Sequence, residues 1–172
     1  MACDITAGRL EGCKDSVGGL NAIYFINYGE TEGFVTTDET VTGTTAVATT
    51  PAFKYDLKGT STFDQSLTSS RDNGSTFAEQ TLTVSLKKQD ATTHKEVKLL
   101  AYGRPHILIE DNNGTLWLMG EDFGVEMNAT TSTGASLGDK NGYELVFAGM
   151  EKGLAKEYVG TLATDFAITL GV

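Results

Sequence analysis

Two cysteines, two prolines, two histidines and one tryptophan are all that a chain of 172 residues holds of these types. Cys3 and Cys13 have no histidine or second cysteine pair at ligand spacing, which argues against a zinc site. In a reducing cytosol two free thiols are expected, and a Cys3–Cys13 bridge would instead staple the N-terminal loop. His94 and His106 have no serine or cysteine partner at a motif spacing, so a nucleophilic triad has little support. No Gly-x-Gly-x-x-Gly, no Walker loop and no interleaving of basic with aromatic residues occurs. No apolar run is long enough to cross a bilayer, and the N-terminus lacks the basic, apolar, small-residue order of a leader. A soluble protein made in the cytoplasm, with no membrane partner, is the expectation. Basic residues are also short: 13 Lys and Arg face 23 Asp and Glu, a formal charge of −10. That surface repels nucleic acid and anionic membranes, and its plainest role is solubility.

What the chain does have is glycine, 20 residues, and many Thr and Ser between apolar positions, with hydrophobic residues at 40%. This composition describes an ordered, turn-rich and strand-rich protein. The length fits one core burying roughly two-thirds of the unfolded surface. The expected layout is an irregular arm over residues 1–19 and a single β-sandwich domain over 20–172. The arm has few apolar side chains and no core of its own, so it either frays or lies on a neighbour as an assembly contact.

Leu20 to Tyr28 is nearly continuous in apolar and aromatic residues, the pattern of a strand covered on both faces. Gly33 to Thr37 predicts a shorter strand, and the Thr-rich Asp38 to Thr50 an edge strand with a long loop. Ala52 to Lys58 alternates strictly, placing Phe53, Tyr55 and Leu57 on a buried face and Lys54, Asp56 and Lys58 on the other. Thr62 to Thr68 follows, then a polar loop over Ser69 to Ser75 with an Asn-Gly turn signal. Phe77 to Lys88 alternates again, with Leu82, Val84 and Leu86 opposite Thr81, Thr83, Ser85 and Lys87. Its length predicts a bulge or a projecting hairpin. One helix is expected over residues 93–102: Thr93 to Glu96 has the capping-box form, Val97, Leu100 and Ala101 share a face, and Gly103 with Pro105 ends it.

Pro105 to Met150 is the organising stretch. Two apolar runs, Pro105 to Glu110 and Thr115 to Gly120, flank Asp111-Asn112-Asn113-Gly114, a strong hairpin signal that holds Trp117. Val125 to Thr131 and Tyr143 to Met150 follow as strands, joined by Ser136 to Gly142, and the whole reads as an antiparallel meander. Lys156 to Leu162 and Phe166 to Leu170 supply one or two closing strands. The sum is eight to ten strands and one flanking helix, a mainly-β antiparallel sandwich or partly closed barrel. Asp111 to Gly114 and Asp139 to Gly142 resemble fragments of calcium loops, but neither has the bidentate Glu at the twelfth position, and as turns they need no metal. No catalytic residue, cofactor or metal is therefore assigned. Trp117 and the other aromatics are more simply core or interface groups than stacking platforms.

The run Ile107 to Glu121, the segment Leu137 to Glu151 and, more loosely, Cys13 to Leu20 resemble small structural proteins of tailed-phage virions, the tail-tube proteins in particular. The resemblance implies a β-sandwich with a flanking helix, assembled into rings, usually hexamers, whose inner strands form a barrel around a channel. Rings would stack through an N-terminal arm and a long loop, with Phe77 to Lys88 and Asp38 to Thr50 as candidates for the inner barrel or that loop. The partners implied are further copies of the chain and other tail or neck proteins, with DNA passing through the lumen unbound. The protein would be made in the host bacterial cytoplasm and reside in the virion as a non-enzymatic component. A head-to-tail connector or neck ring is the neighbouring reading. A glycan- or protein-binding sandwich is an alternative of another class, and it needs Trp117 exposed in a groove.

Overall fold

The computed structural model describes residues 5, 7–45 and 50–170. Two sheets face one another. In chain order the elements begin with β1 (Leu20–Ile26), β2 (Phe34–Thr37), β3 (Thr40–Thr44), β4 (Pro51–Asp56), β5 (Thr62–Ser70) and β6 (Ser75–Lys87). Then come α1 (Ala91–Tyr102), β7 (His106–Asp111), β8 (Leu116–Met119), β9 (Glu126–Ser132), β10 (Gly142–Glu151) and β11 (Lys156–Tyr158). The one-turn α2 (Leu162–Asp165) and β12 (Ala167–Leu170) complete the chain. The large sheet runs β12-β4-β1-β7-β8-β11-β3-β2 and the small one β5-β6-β10-β9. The mainly-β, sandwich-like expectation holds, and neither sheet closes into a barrel.

β1 and β7 are apolar at every central position because both faces of the large sheet are covered. Ile23, Phe25, Ile107 and Ile109 point into the core between the sheets, where Leu82, Val84, Leu145 and Phe147 of the small sheet meet them. Tyr24, Ile26 and Leu108 point the other way, into a second cluster with Val41, Tyr158 and Phe166. That cluster draws residues from strands far apart in the sheet order, so the large sheet curls over its own outer face. This curling explains a departure at β4. The alternation placed Phe53 inside, yet Phe53 is 37% exposed while its neighbour Ala52 is fully buried in the second cluster.

Other expectations are corrected. The helix starts two residues early: Asp90, in extended backbone, is its N-cap. The Asp90 carboxylate accepts from the Thr93 amide at 2.8 Å and the Thr93 hydroxyl at 2.6 Å, so Thr93 is a donor to the cap and not the cap itself. Only Val97 of the helix is buried, with Leu100 packed beside it and Ala101 exposed. The meander divides, with β7 and β8 in the large sheet and β9 and β10 in the small one. β3 lies between β2 and β11, so the edge strand is β2, and residues 46–49 of the expected long loop lie outside the described residues. Strands number twelve and helices two among the described residues: both closing segments form strands, β11 and β12, and the one-turn α2 has too few residues to show a period. The antiparallel rule is also broken twice, where β11 pairs with β3 and β12 with β4 in parallel.

Candidate assembly surface

The small sheet is where the exposed polar residues of the chain are set in order. Register places Phe63 opposite Leu82, Leu82 opposite Phe147 and Phe147 opposite Met127, a row that faces the inter-sheet core. One residue along, Asp64, Thr81, Ala148 and Glu126 form the next row, and by the alternation of a strand it faces outward. Thr62, Thr83, Val146 and Asn128 form another outward row. Across this face stand Asp64, Glu79, Glu126 and Glu144 against Lys87, among Thr and Ser hydroxyls. The alternation read from Phe77 to Lys88 thus separates the core from an acidic, hydroxyl-rich outer surface.

β6 is thirteen residues long with no register shift against β5 or β10, so the expected bulge is absent and the projecting hairpin is what forms. Ser75, Thr76 and Phe77 extend past the last β10 partner and pair with β5 alone. β5 is an edge strand of nine residues, exposed along nearly all its length, and Leu67 is 55% exposed there. An edge this long and open is a template for pairing with another chain. At the opposite margin α1 runs beside β9.

Where the chain crosses from β8 to β9, residues Gly120 to Gly124 are clasped by buried polar groups. Gln80 accepts from the Gly120 amide at 3.1 Å, and the Glu151 carboxylate accepts from the Phe123 amide at 3.0 Å and the Asp122 amide at 3.2 Å. Burial raises the Glu151 carboxyl above its ordinary range, and the two amide donors oppose the shift. Gly124 has φ +69°, and a Cβ there would stand 2.6 Å from the Arg104 carbonyl, so the crossing requires glycine.

His106 is buried in this clasp. Its Nδ1–H donates to the Gly120 carbonyl, Tyr28 stacks on its ring at 5.0 Å and Phe34 meets it edge-on at 5.2 Å. Burial first, then the nearby Arg104 charge, lowers its pKa, while the bond to Gly120 and the charge of Glu121 pull the other way. The folded protein therefore holds His106 neutral where the unfolded chain would protonate it. Stability falls as pH drops below about 6.5, the ordinary value, until the folded group also titrates. Glu151, with its raised value, acts in the opposite sense at lower pH. Urea unfolding at pH 7.5 and 5.5 checks this: the native chain loses stability at the lower pH, and His106→Gln reduces that loss.

The remaining sequence candidates have structural partners. His94 Nδ1 lies 2.6 Å from the Tyr143 hydroxyl and 2.9 Å from the Asp90 carbonyl, fastening the start of α1 to β10. Neither histidine is hydrogen-bonded to a serine or cysteine among the described residues. Asp111 accepts from the Asn113 and Thr115 amides at 2.8 and 2.9 Å, and Asp139 from the Ser136 and Ala135 amides at 2.7 and 2.8 Å. Those amides hold the Asp139 carboxyl below its usual range. Each aspartate closes its own turn. Among the described residues no three His, Cys, Asp or Glu side chains come together as a metal site. Trp117 is partly buried against the inter-sheet core and does not line the depressions around Phe123 and Met150. Cys13 is exposed, and Cys3, the other of the two thiols, lies outside the described residues.

Fold and surface together define a class: a mainly-β protein of two sheets in which the smaller keeps an acidic outer face and a long open edge. Compared with known proteins, the chain matches no family model, no curated protein and no solved structure. The surface was legible in the alternation of β6. The buried clasp was not, because Gln80 on β6, Glu151 on β10 and Gly120 just past β8 have no spacing to link them.

Proposed function

We propose that the protein is a non-enzymatic subunit that assembles with copies of itself, and that its role is that of a phage tail-tube protein: stacked rings around a channel that conducts DNA. The observation that carries the reading is the open β5 edge of a sheet whose outer face bears four carboxylates and one lysine. Pairing along β5 removes an edge that would otherwise template uncontrolled association. The ring this builds turns the acidic face toward its lumen, where phosphates find no basic contacts from which to release counterions. The resemblance of Ile107 to Glu121 and Leu137 to Glu151 to tail-tube proteins supports the same reading, and so does the projecting β5–β6 hairpin as a contact between rings.

Electron microscopy of the purified chain over a concentration series tests it. Tubes of uniform bore that lengthen with concentration are expected. Single rings that never stack would favour the neck-ring reading, and a monomer at every concentration would overturn self-assembly.

A further inference from the structure

Three Asn-Gly pairs lie between strands of this chain: Asn73-Gly74, Asn113-Gly114 and Asn141-Gly142. An asparagine followed by glycine can lose its side-chain amide without an enzyme. The glycine nitrogen, giving up its proton, attacks the asparagine Cγ; the bond from Cγ to Nδ2 breaks, and Nδ2 takes up a proton and leaves as ammonia. Water then opens the resulting succinimide at one of its two carbonyls, leaving aspartate or isoaspartate. The reaction needs a glycine nitrogen that can reach Cγ, an unheld side chain and a backbone free to turn, so the fold decides which pair reacts.

Two of the pairs are held. Asn113 donates from Nδ2 to the Val17 carbonyl at 2.8 Å and accepts at Oδ1 from the Val17 amide at 2.9 Å, so its side chain is bonded at both ends. The Gly114 amide donates to the Asp111 carbonyl at 3.1 Å. The Asp111 carboxylate, accepting from the Asn113 and Thr115 amides, sets a negative charge against the one that would develop on the Gly114 nitrogen. Gly142 is buried at the start of β10, paired with Lys87 on one side and Ser132 on the other, and a Cβ on it would collide with the Leu86 carbonyl. Its nitrogen cannot swing toward the Asn141 side chain without opening both ladders.

Asn73 lies at the tip of the β5–β6 hairpin, where Ser70 pairs with Ser75 and the turn residues 71–74 are all exposed. Its backbone amide donates to the Ser70 hydroxyl at 3.3 Å, but its side chain makes no hydrogen bond among the described residues. Gly74, at φ +61°, has nothing within 4 Å of where a Cβ would stand, and its amide is held by a single 3.3 Å bond to the Arg71 carbonyl. β10 ends its pairing with β6 at Ala78, so the tip rests on β5–β6 pairs alone and opens at little cost. We infer that Asn73 is a site of spontaneous deamidation selected by the fold, and that its conversion places a second carboxylate beside Asp72 at the end of the hairpin. The isoaspartate product also adds a carbon to the backbone of the turn. The reaction belongs to the single folded chain and does not rest on the assembly reading.

Incubation of the native chain in mildly alkaline buffer, with its peptides mapped over time by mass spectrometry, tests this. In the folded protein the peptide holding Asn73 should convert at least about tenfold faster than those holding Asn113 or Asn141, since each of the latter must first give up two or more hydrogen bonds. In denaturing urea the three should convert at similar rates, because each is then an unheld Asn-Gly pair. Asn73→Gln should cut ammonia release from the folded protein to that of the two slow pairs. Asn113 or Asn141 converting as fast as Asn73 in the folded protein would overturn the assignment. So would a folded chain that keeps the Asn73 amide while the unfolded chain loses it. Rate ratios unchanged by urea would overturn it too, since neighbouring sequence and not the fold would then select the site.

Discussion

Under the proposed assembly through β5, Leu67→Asp should leave folded monomers under conditions where the native protein gives rings and tubes, as read by sedimentation velocity and electron microscopy. Leu67 is 55% exposed on β5, the strand with the open edge, and pairs with Ala78 where the hairpin begins to project. Its side lies on the core-facing row with Phe63, but at this end of the hairpin the core no longer covers it. Burying a carboxylate there in a joint between copies leaves an unpaired charge, which costs several kcal/mol. In the monomer the same residue stays in water, so unfolding stability should change by no more than about 0.5 kcal/mol. Leu99→Asp is the matched control, since Leu99 is equally exposed, at 54%, on the solvent side of α1. Full-sized rings from Leu67→Asp would remove β5 as the joint, and loss of rings from Leu99→Asp would show that any new charge disrupts them.

Phe147→Ala should destabilise the fold by about 3–5 kcal/mol, the usual cost of truncating a large buried aromatic. Phe147 is fully buried at the centre of β10, touches the Phe25 ring at 5.2 Å across the two sheets, and pairs with Leu82 and Met127 on either side. Native domains hold only about 5–15 kcal/mol, so the urea midpoint should fall sharply with an unchanged slope. Glu144→Gln, three residues away on the outward face of the same strand, should shift the midpoint little. If Phe147→Ala leaves the midpoint in place, the two sheets are not held together by this row.

Both predictions depend on the faces of β6 and β10, and those faces were written in the alternation of Leu82, Val84 and Leu86 with Thr81, Thr83 and Ser85. A strand has a period of two, so a half-buried strand states its orientation locally. The hairpin around Asp111 to Gly114 was legible for the same kind of reason, since Gly114 takes φ +83° where a side chain is disfavoured. Helix α1 was visible in its apolar spacing and its glycine stop, but its start was misplaced. Thr93 to Glu96 has the form of a capping box, and Asp90, three residues earlier, holds the Thr93 amide.

From its sequence alone the chain is determined to be strand-built and acidic, with the outer face of its small sheet set residue by residue, because strand period, turn chemistry and net charge are all local quantities. Tertiary structure decided which strands share a sheet. β7 and β8 went one way and β9 and β10 the other, because the large sheet curls around its second cluster and buries both faces of β1. It also decided where the buried clasp of Gln80, His106 and Glu151 forms. Those contacts join residues tens of positions apart, and no local pattern encodes a meeting that only closure of the two sheets brings about.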